Sequence, residues 1–279
     1  MKKKILTLLA ISSFIWVACS SDSSSAQDPT PEPTTENSSS SSEENDEELV
    51  LDSIGFADIA NAYHTVATDE KVVFVLRHAE RESFVSVETP LTDDGILQAQ
   101  LVGQKLSSSD SVVYAHTAYV RTKETACNIA LGRGQVKACD DSFVSDTIAE
   151  LTGSWFLKDA DLRNSYVTKD TNTTAVVALW LYDSLFADAF YDLDTRGKEV
   201  VDTYLIKDYA KMPKVKVVIS HDEFVMPLIA YGTQKQAVIR YRTTGRWKIN
   251  YLAGVAIIVN SKNEVRYIAV KGLDSAIEQ

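Results

Sequence analysis

Three short apolar runs constrain this chain more than any other feature, because each ends on a basic or imidazole residue. Val72-Val73-Phe74-Val75-Leu76 runs into Arg77-His78, Val112-Val113-Tyr114-Ala115 into His116, and Val215-Lys216-Val217-Val218-Ile219 into Ser220-His221-Asp222. A mainly β-branched run of four or five residues bounded by polar positions predicts a strand buried on both faces, as in a parallel sheet. In open α/β sheets the ligand sits beyond the carboxyl ends of the strands. The three run ends are far apart in sequence, yet such a sheet would bring them to one place.

The segments between the runs have helical character. Apolar spacing predicts helices over 56–67, 93–106 (with Thr92 as N-cap), 119–130 (closed by Gly132), 174–187, 196–211 and 223–231. Residues 140–172 show no clear period and read as loops over a site. Residues 251–259 and 265–270 flank Asn260-Ser261-Lys262-Asn263 and read as a hairpin. Strands alternating with helices predict an α/β three-layer sandwich, with a mostly parallel central sheet, helices on both faces and a C-terminal β-hairpin.

Only part of the chain can pack this way. Lys2, Lys3 and Lys4 precede an apolar stretch, Ile5–Val17, that is short for a membrane span, so residues 1–19 read as a signal segment. Residues 20–48 carry nine acidic side chains, no Lys or Arg and almost no apolar ones, and read as a disordered tether. Residues 49–279 are the expected domain, with a net charge of about −5 of the chain's −11. A mildly acidic domain without a basic stripe argues against nucleic acid as a partner. Cys127 and Cys139 form an even pair that in an exported protein could bridge; the alternative is two buried thiols. Two cysteines without a histidine pair make no zinc site. The run Glu43–Glu48 reads as solvated tether, not as a calcium loop.

The residue types at the run ends suit an oxyanion. Arginine offers a charged fork of donors that matches phosphate. Histidine can act as a nucleophile or carry a proton. Several cations around a phosphoryl group stabilise its transition state, and that chemistry calls for no metal or organic cofactor. His116 follows its strand at the correct end and is a candidate phosphate contact or support residue. His64 reads as a surface or packing residue. Trp155, Phe156, Trp180 and Tyr182 could line a pocket, although such spacing more often marks core.

Four segments carry a resemblance. Arg77-His78-Ala79-Glu80 resembles the Arg-His-Gly motif of the histidine phosphatase superfamily. Leu91-Thr92-Asp93-Asp94-Gly95 with Gln98-Ala99 and Gly103, then Arg121-Thr122-Lys123-Glu124-Thr125-Ala126, then Ser220-His221-Asp222, are similar to its later motifs, in the same order. The resemblance implies that His78 is the phosphorylated nucleophile and that Arg77, Arg121 and His221 hold the phosphate. His221-Asp222 resembles the acid phosphatase branch, in which the Asp protonates the leaving oxygen, and Arg81 fits that branch's phosphate-binding pattern. Glu150 in Ala149-Glu150-Leu151-Thr152-Gly153 resembles the acid-donor segment of the mutase branch, so two candidate donors stand side by side. Ala79 replaces the usual Gly, and a positive φ there would be costly. Trp16-Val17-Ala18-Cys19 resembles a bacterial lipobox, which implies lipidation at Cys19 and a domain held outside the cytoplasm on the cell envelope. Ser20 resembles outer-membrane sorting. The expected activity is hydrolysis of small phosphomonoesters; the alternative is a non-catalytic phosphate-binding or surface module on the same fold.

Overall fold

The computed structural model describes residues 48–169, 171–239 and 248–277. The expected signal segment, Cys19 and the tether through residue 47 lie outside the described residues.

In chain order the main elements are β1 (Ala57–Asp58), α1 (Ile59–His64), β2 (Lys71–Arg77), α2 (Asp93–Lys105), β3 (Val112–His116), α3 (Val120–Gly132), β4 (Asp146–Thr147), α4 (Ala160–Ser165), α5 (Thr173–Asp183), α6 (Leu193–Val200), β5 (Val215–Ser220), α7 (Asp222–Gly232), β6 (Ala253–Val259) and β7 (Val265–Lys271). The strands form one sheet in the order β1-β7-β6-β2-β5-β3-β4. β6 pairs antiparallel with both β2 and β7, while every other neighbouring pair is parallel. The sheet is therefore mostly parallel and β6–β7 is the expected hairpin.

The period-2 alternation of β2 builds the three layers. Val72, Phe74 and Leu76 pack with Val217, Ile219 and Ile258 against Ile59 of α1, Val102 of α2 and Ile129 of α3. Val73 and Val75 face the other way, with Val218 and Val255, against Val177 and Leu181 of α5, Val200 of α6 and Phe224 of α7. All five residues are fully buried. Truncation of Phe74 to Ala would cost about 3–5 kcal/mol by opening a cavity in the middle of one layer.

Several helices differ from their expected lengths, each for a local reason. α1 is shorter because Ala57–Asp58 pairs with Val270–Lys271 as an edge strand, and the Asp58 carboxylate then caps the helix by accepting from the Ala60 amide (2.9 Å). α5 stops at Asp183 because Ser184 adopts a left-handed conformation (φ 56°). The helix expected over 196–211 begins earlier, at the Asp192 cap. It passes into a π-helical turn over Val201–Leu205, and Asp208 (φ 56°) breaks it. The 140–172 stretch is more ordered than expected. It contains β4, a 3₁₀ turn at Gly153–Trp155 and α4, a helix without buried residues, so it leaves no apolar period to read. Cys127 and Cys139 form a disulfide that joins α3 to the following loop.

Candidate active site

β2 and β5 are adjacent parallel strands in register, Arg77 opposite Ser220. The His78 amide donates to the Ser220 carbonyl (3.0 Å), so both strands release their next residue at the same level. The rings of His78 and His221 consequently lie 5.5 Å apart, although 143 residues separate them in the chain. β3, on the far side of β5, leads through Thr117 into α3, whose second residue is Arg121.

Hydrogen bonds fix the role of each ring nitrogen. His78 Nδ1 lies 2.7 Å from the Ala79 carbonyl, which can only accept. The proton therefore sits on Nδ1, and the Nε2 lone pair points at the Arg121 Nε–H, 3.3 Å away. Arg121 also donates to the Ser86 carbonyl (2.9 Å) and to His221 Nδ1 (3.4 Å). With Nδ1 as acceptor, His221 Nε2–H donates to Thr117 Oγ1 (2.9 Å), which lies 3.0 Å from Thr122 Oγ1, and Thr122 donates to the Tyr119 carbonyl (2.7 Å). Burial pushes His78 well below the ordinary histidine range, and Arg77 and His221 push the same way. Burial, then Arg121, lowers His221 to about 4. Both rings are neutral at neutral pH, as a nucleophilic imidazole has to be.

Arg77 is 1% exposed. It donates to the Ile249 carbonyl (2.5 Å) and stacks on Tyr251, with its guanidinium carbon 3.9 Å from the ring centroid. Its Nε is 3.7 Å from Asp222 Oδ2, and Lys248 Nζ approaches the same oxygen at 3.6 Å. Burial raises the Asp222 carboxyl, but Arg77 and Lys248, with His78 and the Glu223 amide, outweigh it and hold it at about 2. Asp222 also opens α7, so the positive end of that helix faces the same space.

The two middle motifs support this floor from below. Thr125 Oγ1 accepts from the Ala79 amide (3.0 Å) and donates to the Arg121 carbonyl (2.7 Å), while Glu124 accepts from the Leu91 amide (2.7 Å). The Thr92 amide donates to the Glu80 carbonyl (3.1 Å), and Thr92 Oγ1 caps α2 at Gly95 (3.0 Å). A Cβ on Gly95 would lie 2.1 Å from the Glu80 carbonyl oxygen, so only glycine lets α2 press on the loop after the nucleophile. Ala79 is fully buried and is not among the residues with positive φ, so it stands in for glycine without backbone strain.

The pocket above the floor is lined by Arg77, His78, Arg81, Tyr119, Arg121, Thr152, Gly153, Ser154, Leu157, Arg163, His221, Asp222, Glu223 and Lys248. It gathers every expected phosphate-binding residue and one of the two expected proton donors. Arg81 is held to the wall by donating to the carbonyls of Glu82 (2.7 Å) and Phe84 (3.1 Å). Glu150 is different: it is exposed, on the turn before Thr152, and is not a lining residue. His116 is buried and also points elsewhere, with Nδ1 donating to the Thr117 carbonyl (2.6 Å) and Nε2 3.1 Å from Ser145 Oγ. His64 is exposed. Trp155, Phe156, Trp180 and Tyr182 line no part of the pocket. Phe156 and Trp180 are core, Trp180 stacked on Phe190 at 4.2 Å, and Trp155 and Tyr182 pack against that core. Sequence reasoning missed Tyr119, Arg163, Glu223, Lys248 and Tyr251. Glu223, directly after His221-Asp222, was the one with a readable signal. Among the described residues no group of three or more His, Cys, Asp or Glu side chains is placed to hold a metal ion.

A family model, the histidine phosphatase superfamily (branch 1), matches residues 73–238. Among solved structures, the chain is similar to a phosphoglycerate mutase from Bacillus anthracis str. Sterne, at 13% identity over 72% of this chain and 92% of that one, with a TM-score of 0.47. It is also similar to a mycobacterial glucosyl-3-phosphoglycerate phosphatase (12% identity, 75% and 100% covered, TM-score 0.44) and to the alpha-ribazole phosphatase from Shigella flexneri (18%, 75% and 98%, TM-score 0.42). No curated protein sequence matches the chain significantly.

Proposed function

The chain belongs to the histidine phosphatase superfamily, and from that membership we propose that it hydrolyses phosphomonoesters outside the cytoplasm through a phosphohistidine intermediate on His78. The observation that carries this reading is the locked tautomer of His78. Its Nδ1–H is committed to the Ala79 carbonyl, so a neutral Nε2 lone pair faces a pocket ringed by Arg77, Arg81 and Arg121.

In the first step Nε2 attacks phosphorus in line, and the bond from phosphorus to the leaving oxygen breaks. Arg77 and Arg121 hold the phosphoryl oxygens, with Arg81 at the rim, and His221 joins them once the bound dianion has raised it to the protonated form, its Nδ1–H then donating. Asp222 delivers a proton to the leaving oxygen. In the second step water attacks the phosphohistidine, Asp222 takes up its proton, and phosphate departs with His78 restored. In the empty site Asp222 is a carboxylate, held so by Arg77 and Lys248. A bound phosphoryl dianion competes for Arg77 and raises the carboxyl toward the protonated form. Glu150, exposed and away from the lining, does not take this role.

The partner is a phosphorylated small molecule. The Lys2–Lys4 segment and the apolar stretch after it support export, and Cys19 is the proposed attachment point for lipid in a bacterial, and by its Ser20 an outer, membrane. The Cys127–Cys139 disulfide suits an oxidising compartment.

Turnover of p-nitrophenyl phosphate by the full chain, with acid-labile, base-stable label recovered on His78 after a radioactive substrate is quenched, tests the chemistry. Absence of both turnover and label would refute it. Membrane fractionation tests the anchor: Cys19→Ser is expected to release the protein or block its maturation, since about 0.8 kcal/mol per buried methylene makes two or more chains a firm anchor. Unchanged fractionation would rule the lipid out.

A further inference from the structure

Building on the phosphatase reading, we infer that Thr122 and Thr117 are positioning residues for His221. Their hydroxyls form a one-way hydrogen-bond chain that keeps the proton of the empty-site His221 ring on Nε2 and reserves Nδ1 for the phosphoryl group. Both threonines are fully buried, and neither lines the pocket.

The direction of the chain follows from its protons. Thr122 Oγ1 lies 2.7 Å from the Tyr119 carbonyl and 3.0 Å from the Thr117 carbonyl, and a carbonyl only accepts. A hydroxyl has one proton, so Thr122 commits its own there and has none for Thr117 Oγ1, 3.0 Å away. Thr117 therefore donates to Thr122. With that proton committed, Thr117 can only accept at His221 Nε2, at 2.9 Å. The far side of the ring gives the same answer independently, because Arg121 Nη2, 3.4 Å from Nδ1, can only donate.

The chain is anchored in backbone. The Thr117 amide donates to the Ile219 carbonyl (3.3 Å), two residues before His221, and the Thr117 carbonyl also accepts from His116 Nδ1 (2.6 Å). Buried His116 thus braces the residue that holds His221. Thr122 is the third residue of α3, directly after Arg121. The arrangement matters because of what Nδ1 has to do. His221 faces Arg121, the His78 and Tyr119 rings and Asp222, with Arg77 and Arg81 farther off, and burial and the arginines keep it neutral in the empty site. A bound phosphoryl dianion offsets those arginines, and the ring takes a second proton from water or from the monoanion form of the ester. Because Nε2 already holds one and Thr117 accepts from it, the new proton goes to Nδ1, the nitrogen that faces Arg121 and the phosphate. The reverse tautomer would turn an N–H on the Arg121 donor and leave Thr117 without its partner.

Nitrogen NMR of the full chain with labelled histidine tests the inference, with inorganic phosphate as the probe. The unaltered protein should show a neutral His221 ring protonated on Nε2, and on both nitrogens once phosphate is bound. Thr117→Val keeps the shape and removes the acceptor. It should mix the two tautomers and weaken phosphate binding about tenfold, the effect of one hydrogen bond to a charged group. Thr117→Ser should restore both readings. Thr122→Val, one step farther from the ring, frees the Thr117 proton to turn toward His221; it should let the Nδ1–H form appear with a smaller loss of phosphate affinity, and it decides the matter alone if Thr117→Val fails to fold. A ring protonated on Nδ1 in the unaltered protein, or a tautomer that ignores both valine variants even if they melt earlier, would overturn the inference. The ring signals do not depend on turnover, so either result leaves the phosphatase reading standing, whereas absence of p-nitrophenyl phosphate hydrolysis and of label on His78 would overturn that reading and the purpose assigned to the chain.

Discussion

The floor of the pocket and its wall are built on different terms. The floor consists of Arg77, His78, His221 and Asp222 at the ends of two paired strands, with Arg121 at the start of the helix after a third. Its side chains are mostly buried, and they are fixed by bonds to backbone carbonyls or to each other. The wall comes from turns and short helices in 152–166. The loop 82–89 borders it without lining the pocket, and there Phe84, Val85 and Val87 are 54%, 86% and 47% exposed. The loop 82–89 meets Arg121 and Arg81 through main-chain oxygens, those of Ser86 and Phe84. Its exposed side chains can therefore vary without moving the phosphate cradle, whereas buried Thr89, whose hydroxyl donates to the Phe84 and Ser86 carbonyls, cannot. The difference teaches that chemistry and specificity occupy separable parts of one pocket: sheet geometry determines the first, and the second is free to change with the loops.

The sharpest way to break this division is at the nucleophile. His78→Ala should lower kcat/KM by about 10³-fold or more, because it removes the nucleophile on which the covalent route depends. Near-normal turnover would place the chemistry elsewhere. Next comes the proton donor. Asp222→Asn should slow alkyl phosphates by roughly 10²–10⁴-fold and p-nitrophenyl phosphate far less, since a good leaving group needs little protonation. Glu150→Gln should leave both near normal, and leaving-group dependence in that variant alone would move the acid function from Asp222 to Glu150.

A third measurement sharpens the contrast in hydration. The His221 ring should titrate by NMR with a midpoint near 4, as burial and Arg121 require. An unfolded histidine titrates near 6.5. Between those values the unfolded chain takes up a proton that the folded chain refuses, so stability should fall as pH drops from about 6.5 to about 4, with no contribution from this group above that window. A midpoint near 6.5 would mean that the floor is as wet as the wall. The smallest effect belongs to the exposed loop. Phe84→Ala or Val85→Ala should keep kcat/KM for p-nitrophenyl phosphate within about threefold, in line with ordinary surface substitutions. A large loss would show that the loop takes part in the chemistry.

Much of the floor was legible in the sequence because strands leave a local signature. Runs such as 72–76 and 215–219 announce their own burial, and the residue that follows a buried parallel strand must emerge at the ligand-binding edge. Arg77, His78, His221 and Asp222 could thus be named from position alone, and Arg81 and Arg121 from motif spacing. His116 had the same signature and was ambiguous for that reason: sequence places a side chain at a strand end but does not say toward which neighbour it turns, and here Ser145 takes it. The wall was not legible. α4 buries none of its residues, so no apolar period marks it, and Arg163 meets Glu223 across 60 residues. Glu150 and Glu223 look alike as carboxyls near a motif, and only the path of the chain separates an exposed turn from the first turn of α7.

The sequence by itself determined the layers, the end of the sheet at which the histidines and arginines collect, and a cysteine pair that could bridge. These follow from the alternation of side chains along strands and from the burial of apolar runs, both of which are local. The tertiary structure decided which tautomer His78 adopts, which carboxyl reaches the pocket, and which cations beyond the motif arginines surround it. Those depend on distances of a few ångströms between side chains from separate elements, and electrostatics and hydrogen bonding fall off too steeply with distance and angle for order along the chain to encode them.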